Sequence, residues 1–218
     1  MIPVLIMGKS GSGKSTSMRN FRDDEILIIQ VEDKPLPFRT KLTDVVKTSS
    51  YKEIGQAIME TKKKVIVIDD AGYLLTTMFM KGHSSQGAGN EIFNFYNKMA
   101  DRFWGLIEGI KAIEGDTIVY LIMHEDKNDF GDIKPKTIGK LLDDKVCIEG
   151  LFTIVLRSVK DMSRYVFKTK TDGLDVTKTP LDMFATEEVD NDLYEVTEVI
   201  REYYGMEPLR KEEEHGNA

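Results

Sequence analysis

Gly8-Lys9-Ser10-Gly11-Ser12-Gly13-Lys14-Ser15, followed by Thr16, fits G-x-x-x-x-G-K-[ST] at every fixed position. The chemistry follows from the residue types. Glycines let a backbone wrap closely around phosphate, where a Cβ would clash. Consecutive N–H groups and a helix N-terminus favour an anion. Lys14 is expected to reach the β- and γ-phosphates and to face solvent when nothing is bound, and Ser15 to ligate Mg²⁺. The implied ligand is ATP, or a closely related nucleoside triphosphate, with magnesium.

A phosphate-bound magnesium ion needs a second acidic anchor. Val65-Ile66-Val67-Ile68-Asp69-Asp70 delivers carboxylates at the end of an apolar strand, where α/β sheets bind ligands. Asp69 is the candidate metal residue, and Asp70 either caps the next segment or acts on water. Hydrolysis needs a group that orients or deprotonates water. Glu32, closing the run Ile26 to Val31, competes with Asp70 and is preferred because a Glu side chain reaches further across a cleft. His124 closes another apolar run and could sense the γ-phosphate.

Those residues need strands that end on one edge. Pro3–Met7, Ile26–Val31, Val65–Ile68 and Thr117–Met123 are apolar enough to be buried on both faces. Helical patterns alternate with them at Ser15–Asn20, Tyr51–Lys63 and Glu91–Ile113, the last with Ile92, Phe93, Tyr96, Met99, Phe103, Leu106, Ile107 and Ile110 as its core stripe. The alternation predicts an α/β fold with a mostly parallel sheet. Gly82–Asn90 and Asp126–Lys140 read as loops and Thr137–Val146 as a helix. Leu151–Val159 and Arg164–Thr171 read as an antiparallel hairpin, and Asn191–Tyr204 as a last helix. Residues 1–206 are expected to form one domain, and Glu207–Ala218 a charged, disordered tail.

Composition sets the outer bounds. The chain has 218 residues, 41% hydrophobic and 31% charged, enough for a full core without staples. A single cysteine, Cys147, excludes an internal disulfide and is expected to be a small buried residue. The net charge of -7 argues against a surface that coats nucleic acid, but allows a local basic patch. Neither a signal peptide nor a membrane span is visible, so a cytoplasmic protein is expected.

The order of these features resembles the RecA-like ATPase core. More narrowly, the chain is similar to small phage nucleotide-binding ATPases of AAA type, encoded beside single-strand annealing and single-strand-binding proteins. The anchors are Gly8–Thr16, Glu32, Asp69, Leu121–Glu125 (LIMHE) and Thr177–Phe184 (TKTPLDMF). The resemblance implies ATP hydrolysis in recombination or replication in the host cytoplasm, by a homo-oligomer acting on single-stranded DNA with such a partner. It implies Glu32 as catalytic base and His124 as sensor. Gly82–Asn90 and Asp126–Lys140 take the places of loops that contact DNA. Lys168, Lys170 and Lys178 lie where the family presents a basic finger to a neighbour's γ-phosphate. Here Thr171–Thr177 separates the candidates, where the family keeps a compact pair.

Two other readings keep the same motif. A small-molecule or nucleotide kinase would add an arginine-rich lid, because guanidinium forks match phosphates. Arg157 and Arg164 are isolated in the sequence. A nucleotide-gated switch would retain Lys14 and Asp69 but not need Glu32.

Overall fold

The computed structural model describes residues 1–87, 89–128, 131–138 and 146–211. Its strands are β1 (Ile2–Gly8), β2 (Ile26–Gln30), β3 (Val45–Lys47), β4 (Val65–Asp69), β5 (Ile118–Lys127), β6 (Ile133–Pro135), β7 (Ile154–Asp161), β8 (Arg164–Lys168) and β9 (Glu188–Asp190). They form one nine-stranded sheet in the order β3-β2-β4-β5-β1-β7-β8-β9, with β6 paired antiparallel to β5. From β3 to β7 every neighbour is parallel, and β7, β8 and β9 pair antiparallel. The fold is therefore the α/β arrangement expected, with the hairpin at one edge.

The central strands are apolar on both faces because both faces are covered. Leu5, Met7, Ile66, Ile68, Leu121 and Met123 join one core with α1 (Tyr51–Glu60), α2 (Tyr73–Gly82) and α3 (Asn90–Ala112). Val4, Ile6, Val65, Val67, Tyr120 and Ile122 join a second, with a short 3₁₀ segment at Ser15–Asn20 and α4 (Leu193–Tyr203). The alternation is the period-2 side-chain rule of a strand. The buried Tyr120 hydroxyl meets Thr197 Oγ1 at 2.7 Å, fixing α4 to the sheet without an orphaned polar atom.

Several expectations need correction. Phe93 is 67% exposed, and Phe95, four residues before Met99, takes the core position instead. Residues 73–82, given no element from the sequence, form α2. Asp126–Lys140 is not wholly a loop, since β5 runs to Lys127 and returns as β6. Cys147 is exposed. The expected helix Thr137–Val146 falls largely on residues 139–145, outside the described residues. Of the expected tail, residues 212–218 are also outside them, whereas Arg210 pairs with Glu25 at 2.6 Å and stacks on Tyr194 at 3.8 Å. No helix among the described residues is long and apolar enough to cross a membrane.

Candidate active site

β1 ends at Gly8, and the chain must turn tightly between neighbouring strands. A Cβ on Gly8 would meet the Ser158 carbonyl of β7 and lie 2.6 Å from Ser12 Oγ. Gly13, at φ +96°, would place a Cβ 2.9 Å from the Tyr165 ring and 3.0 Å from Asn191 Oδ1. Both positions therefore require glycine, one by crowding and the other also by its left-handed backbone.

Lys14 does not face solvent as expected. It is 6% exposed, and its Nζ donates to the carbonyls of Gly8 at 2.8 Å and Lys9 at 2.7 Å. The ammonium is held inside the curve of its own loop. Burial lowers its pKa, against the opposing pull of Asp70, Asp69 and Glu125.

The two expected metal residues meet. Ser15 Oγ donates to Asp69 Oδ1 at 2.9 Å, although the residues are 54 apart in sequence. Asp69 is 2% exposed. Burial, and then the neighbouring Asp70 charge, raise its pKa to about 6, opposed by Ser15, Lys34 and Lys14. A hydroxyl and one carboxylate are the usual protein share of a magnesium site completed by phosphate oxygens and water. Among the described residues no cluster of three or more His, Cys, Asp and Glu could hold a metal by itself. The donor set thus fits magnesium that arrives with a nucleotide.

The two candidate bases separate. Asp70 lines a cleft of 1070 Å³ together with Lys14, Ser15 and His124. Its φ is +58°, an uncommon left-handed backbone for a residue other than glycine, seen most with Asp and Asn. That turn redirects the chain from β4 into α2 and aims the carboxylate at Lys34, with which it forms an ion pair. His124 Nε2 lies 3.6 Å from the other oxygen. Glu32 does not line this cleft. β2 ends at Gln30, two residues earlier, and Glu32 lies instead against α2, accepting from Thr77 Oγ1 at 3.5 Å.

His124 sits beside the phosphate loop because the register of β5 pairs it with Gly8. Tyr73 packs against its ring edge at 5.9 Å. Burial and then Lys14 lower its pKa, outweighing Asp70, which favours the uncharged imidazole.

On the hairpin side of the cleft, against Gly13, stand residues that the motifs did not single out. β7 is parallel to β1 and extends past it, so the hairpin tip carries Arg164 and Tyr165 over the P-loop edge. Buried Asn191 donates to Ser158 Oγ at 3.1 Å, and Ser158 donates to the Ser12 carbonyl at 2.7 Å. Arg19 donates to the Asn191 carbonyl at 2.6 Å. This chain of bonds ties the hairpin, the P-loop and the approach to α4 together. The signal that would have found these residues is the adjacency of β7 to β1, which only topology supplies.

The remaining candidates lie elsewhere. Lys168 is level with Arg157, which pairs with Met7, and β8 runs away from the P-loop from there. Lys170 follows further in that direction, and Lys178 bridges Val155 on the edge of β7. None of the three lines the nucleotide cleft. Lys168 pairs with Asp172 at 3.7 Å and Glu188 at 3.9 Å, while Lys170 and Lys178 are exposed. Arg157 grips Glu125 at 2.8 and 3.1 Å and reaches Asp175 at 3.2 Å.

The geometry is a phosphate loop, a Ser–Asp pair suited to magnesium and a polar rim beyond them. Comparison with curated proteins finds no match. The family model of the AAA domain matches residues 2–181, and the chain belongs to that family of nucleotide-binding P-loop ATPases.

Proposed function

We propose that this protein binds Mg·ATP in the 1070 Å³ cleft and hydrolyses its γ-phosphate. The observation that carries the reading is the Ser15–Asp69 contact of 2.9 Å beside the loop that encloses Lys14. Lys14 exchanges its two carbonyl partners for β- and γ-phosphate oxygens. Ser15 and Asp69 hold the magnesium ion, whose charge offsets that developing on the phosphates. Asp70 orients water and takes its proton, with Lys34 and His124 fixing the carboxylate. Glu32, the alternative base, acts at most through Thr77 and α2. Tyr165 and Arg164 line the nucleoside end, where an aromatic face suits a base. The activity is tested by phosphate release from ATP with and without magnesium. Magnesium-dependent turnover that Asp69→Asn suppresses supports the reading. Equal losses of ATP affinity with and without metal in that variant would make Asp69 structural.

The similarity to phage ATPases supports a finer reading: assembly into a homo-oligomer that works on single-stranded DNA beside an annealing or single-strand-binding protein. Lys178, or Lys170, would then supply the neighbour's γ-phosphate with a cation. Activity per subunit that rises with protein concentration, and complementation between Lys178→Ala and Asp70→Asn, test that assembly.

One observation favours transfer to a bound acceptor as a second reading. A cavity of 480 Å³ shares Ser10, Tyr73 and His124 with the nucleotide cleft and is also lined by Lys9 and Lys136. Release of one inorganic phosphate per ATP consumed, with no phosphorylated product, decides for hydrolysis.

A further inference from the structure

A separate cavity of 580 Å³ opens among α1, α2 and α3, on the face of the sheet that these helices cover. Each helix contributes one cation to its wall: Lys52 from α1, Lys81 from α2 and Arg102 from α3. Ser49, Ser50 and Thr77 add hydroxyls, and no carboxylate lines it. None of its residues lines the nucleotide cleft.

Acidic residues outnumber basic ones 37 to 30. Several lysines elsewhere are paired: Lys47 with Asp33, Lys64 with Asp116, Lys111 with Glu108 and Lys168 with Asp172. Lys52, Lys81 and Arg102 have no carboxylate partner among the described residues. Two acids near it are engaged by hydroxyls. Glu53 accepts from Thr48 at 2.6 Å, and Glu32 from Thr77 at 3.5 Å.

Two further features point to an anion. The ten-residue helix α1 begins at this cavity, and its N-terminus, capped by Ser50 and with Glu53 in its first turn, keeps part of its positive charge. Tyr51, also on the wall, has a fully buried hydroxyl with no hydrogen-bond partner. Its surroundings are desolvated, with Arg102 close enough to act on it electrostatically. That hydroxyl is a donor without an acceptor, and a turn of the ring toward the cavity would supply one from a bound anion. Phe95 and Met78 give the cavity an apolar side, and the volume exceeds that of one phosphate, leaving room for an attached sugar or base.

We propose that this cavity is a second binding site, for a phosphate group carried by a nucleic-acid strand or by a free phosphorylated compound. The charge sits on the three helices rather than in the Gly82–Asn90 segment, and the site does not depend on the ATPase reading.

The test uses the full chain with saturating Mg·ADP, which keeps probes off the P-loop. Fluorescein-labelled dT20 is followed by anisotropy, and inorganic pyrophosphate by calorimetry. Lys81→Ala/Arg102→Ala is compared with wild type and with a control that removes paired lysines, Lys47→Ala/Lys111→Ala. Binding of one probe should weaken tenfold or more in the first variant and stay within twofold in the control, with Mg·ADP affinity unchanged. If the probe is dT20, the slope of log affinity against log salt should also fall by about 1.4, at about 0.7 for each single-strand phosphate that the variant no longer neutralises. Weakened dT20 binding assigns the phosphate to a strand, and weakened pyrophosphate binding alone assigns it to a small compound. Should the double variant fail to fold, Lys52→Gln replaces it, with a loss of threefold or more expected. Wild-type-like binding of both probes by the variants, or no binding of either probe by wild type, overturns the proposal. Failure of the ATPase reading would show separately, as absent Mg·ADP binding.

Discussion

The two ends of the nucleotide cleft are built differently. The phosphate end is formed by β1, β4 and β5, central parallel strands whose C-terminal tips bring Lys14, Asp69, Asp70 and His124 together. Its charged groups are buried and paired. The hairpin side, which we propose receives the nucleoside, lies at the antiparallel edge, where Tyr165 is 42% exposed and Arg164 reaches only a loose ion pair with Glu188 at 4.0 Å. A preorganised end suits chemistry and an adaptable end suits binding. Substitutions at the first should act on turnover, and at the second on affinity.

The largest contrast is expected from Lys14→Ala, which should abolish measurable ATP turnover and weaken binding by at least a hundredfold. Because the buried Gly8 carbonyl loses the Lys14 ammonium, the variant should also be less stable by about 1–3 kcal/mol. That is a fall of several degrees in Tm for a chain of this size. Wild-type-like affinity by calorimetry would break the contrast at its strongest point.

Tyr165→Ala should sharpen it from the other side. ATP affinity should weaken about tenfold, the size of one aromatic ring stacked on a base, while kcat at saturation stays within about twofold. Tyr165→Phe should bind as wild type. A fall in kcat with unchanged affinity would place the tyrosine in the chemistry.

A smaller effect separates the ends by pH. The folded-state pKa of Asp69, about 6, lies above the ordinary 3.8, so the folded protein holds this proton more tightly than the unfolded chain. The resulting stabilisation is complete below about pH 4 and is lost as pH rises through 6. Metal-free wild type should lose up to about 3 kcal/mol over that window. Asp69→Asn, which cannot ionise, should lack this loss and be the more stable protein at pH 7 without magnesium. Parallel stability–pH curves for the two would contradict the assigned burial. The smallest effect belongs to Lys170→Ala, which should leave ATP affinity unchanged because Lys170 lies outside the cleft.

The same division governs what could be read from the sequence. β1, β4 and β5 were legible because burial on both faces demands unbroken apolar runs. The P-loop was legible because its chemistry admits few residue types. α2 was missed because Tyr73–Met80 is apolar nearly all round, which gives no helical period. β3 and β9, three residues each, carry too little pattern to stand out. The places of Glu32 and Asp70 relative to the cleft were not legible, because composition encodes neither the end of β2 at Gln30 nor the positive φ of Asp70. Arg164, Tyr165 and Asn191 reach the cleft only because β7 lies next to β1, a long-range pairing with no local trace.

The most direct test of the proposed chemistry is single-turnover ATP hydrolysis by Asp70→Asn and Glu32→Gln, each with ATP affinity measured alongside. Asp70→Asn should bind Mg·ATP within a few fold of wild type and hydrolyse it about 10²–10⁴ times more slowly, the usual contribution of a positioned general base. Glu32→Gln should stay within about threefold of wild type. The reverse pattern, a silent Asp70→Asn and a crippled Glu32→Gln, would contradict the assignment of water activation to the Asp70–Lys34–His124 rim.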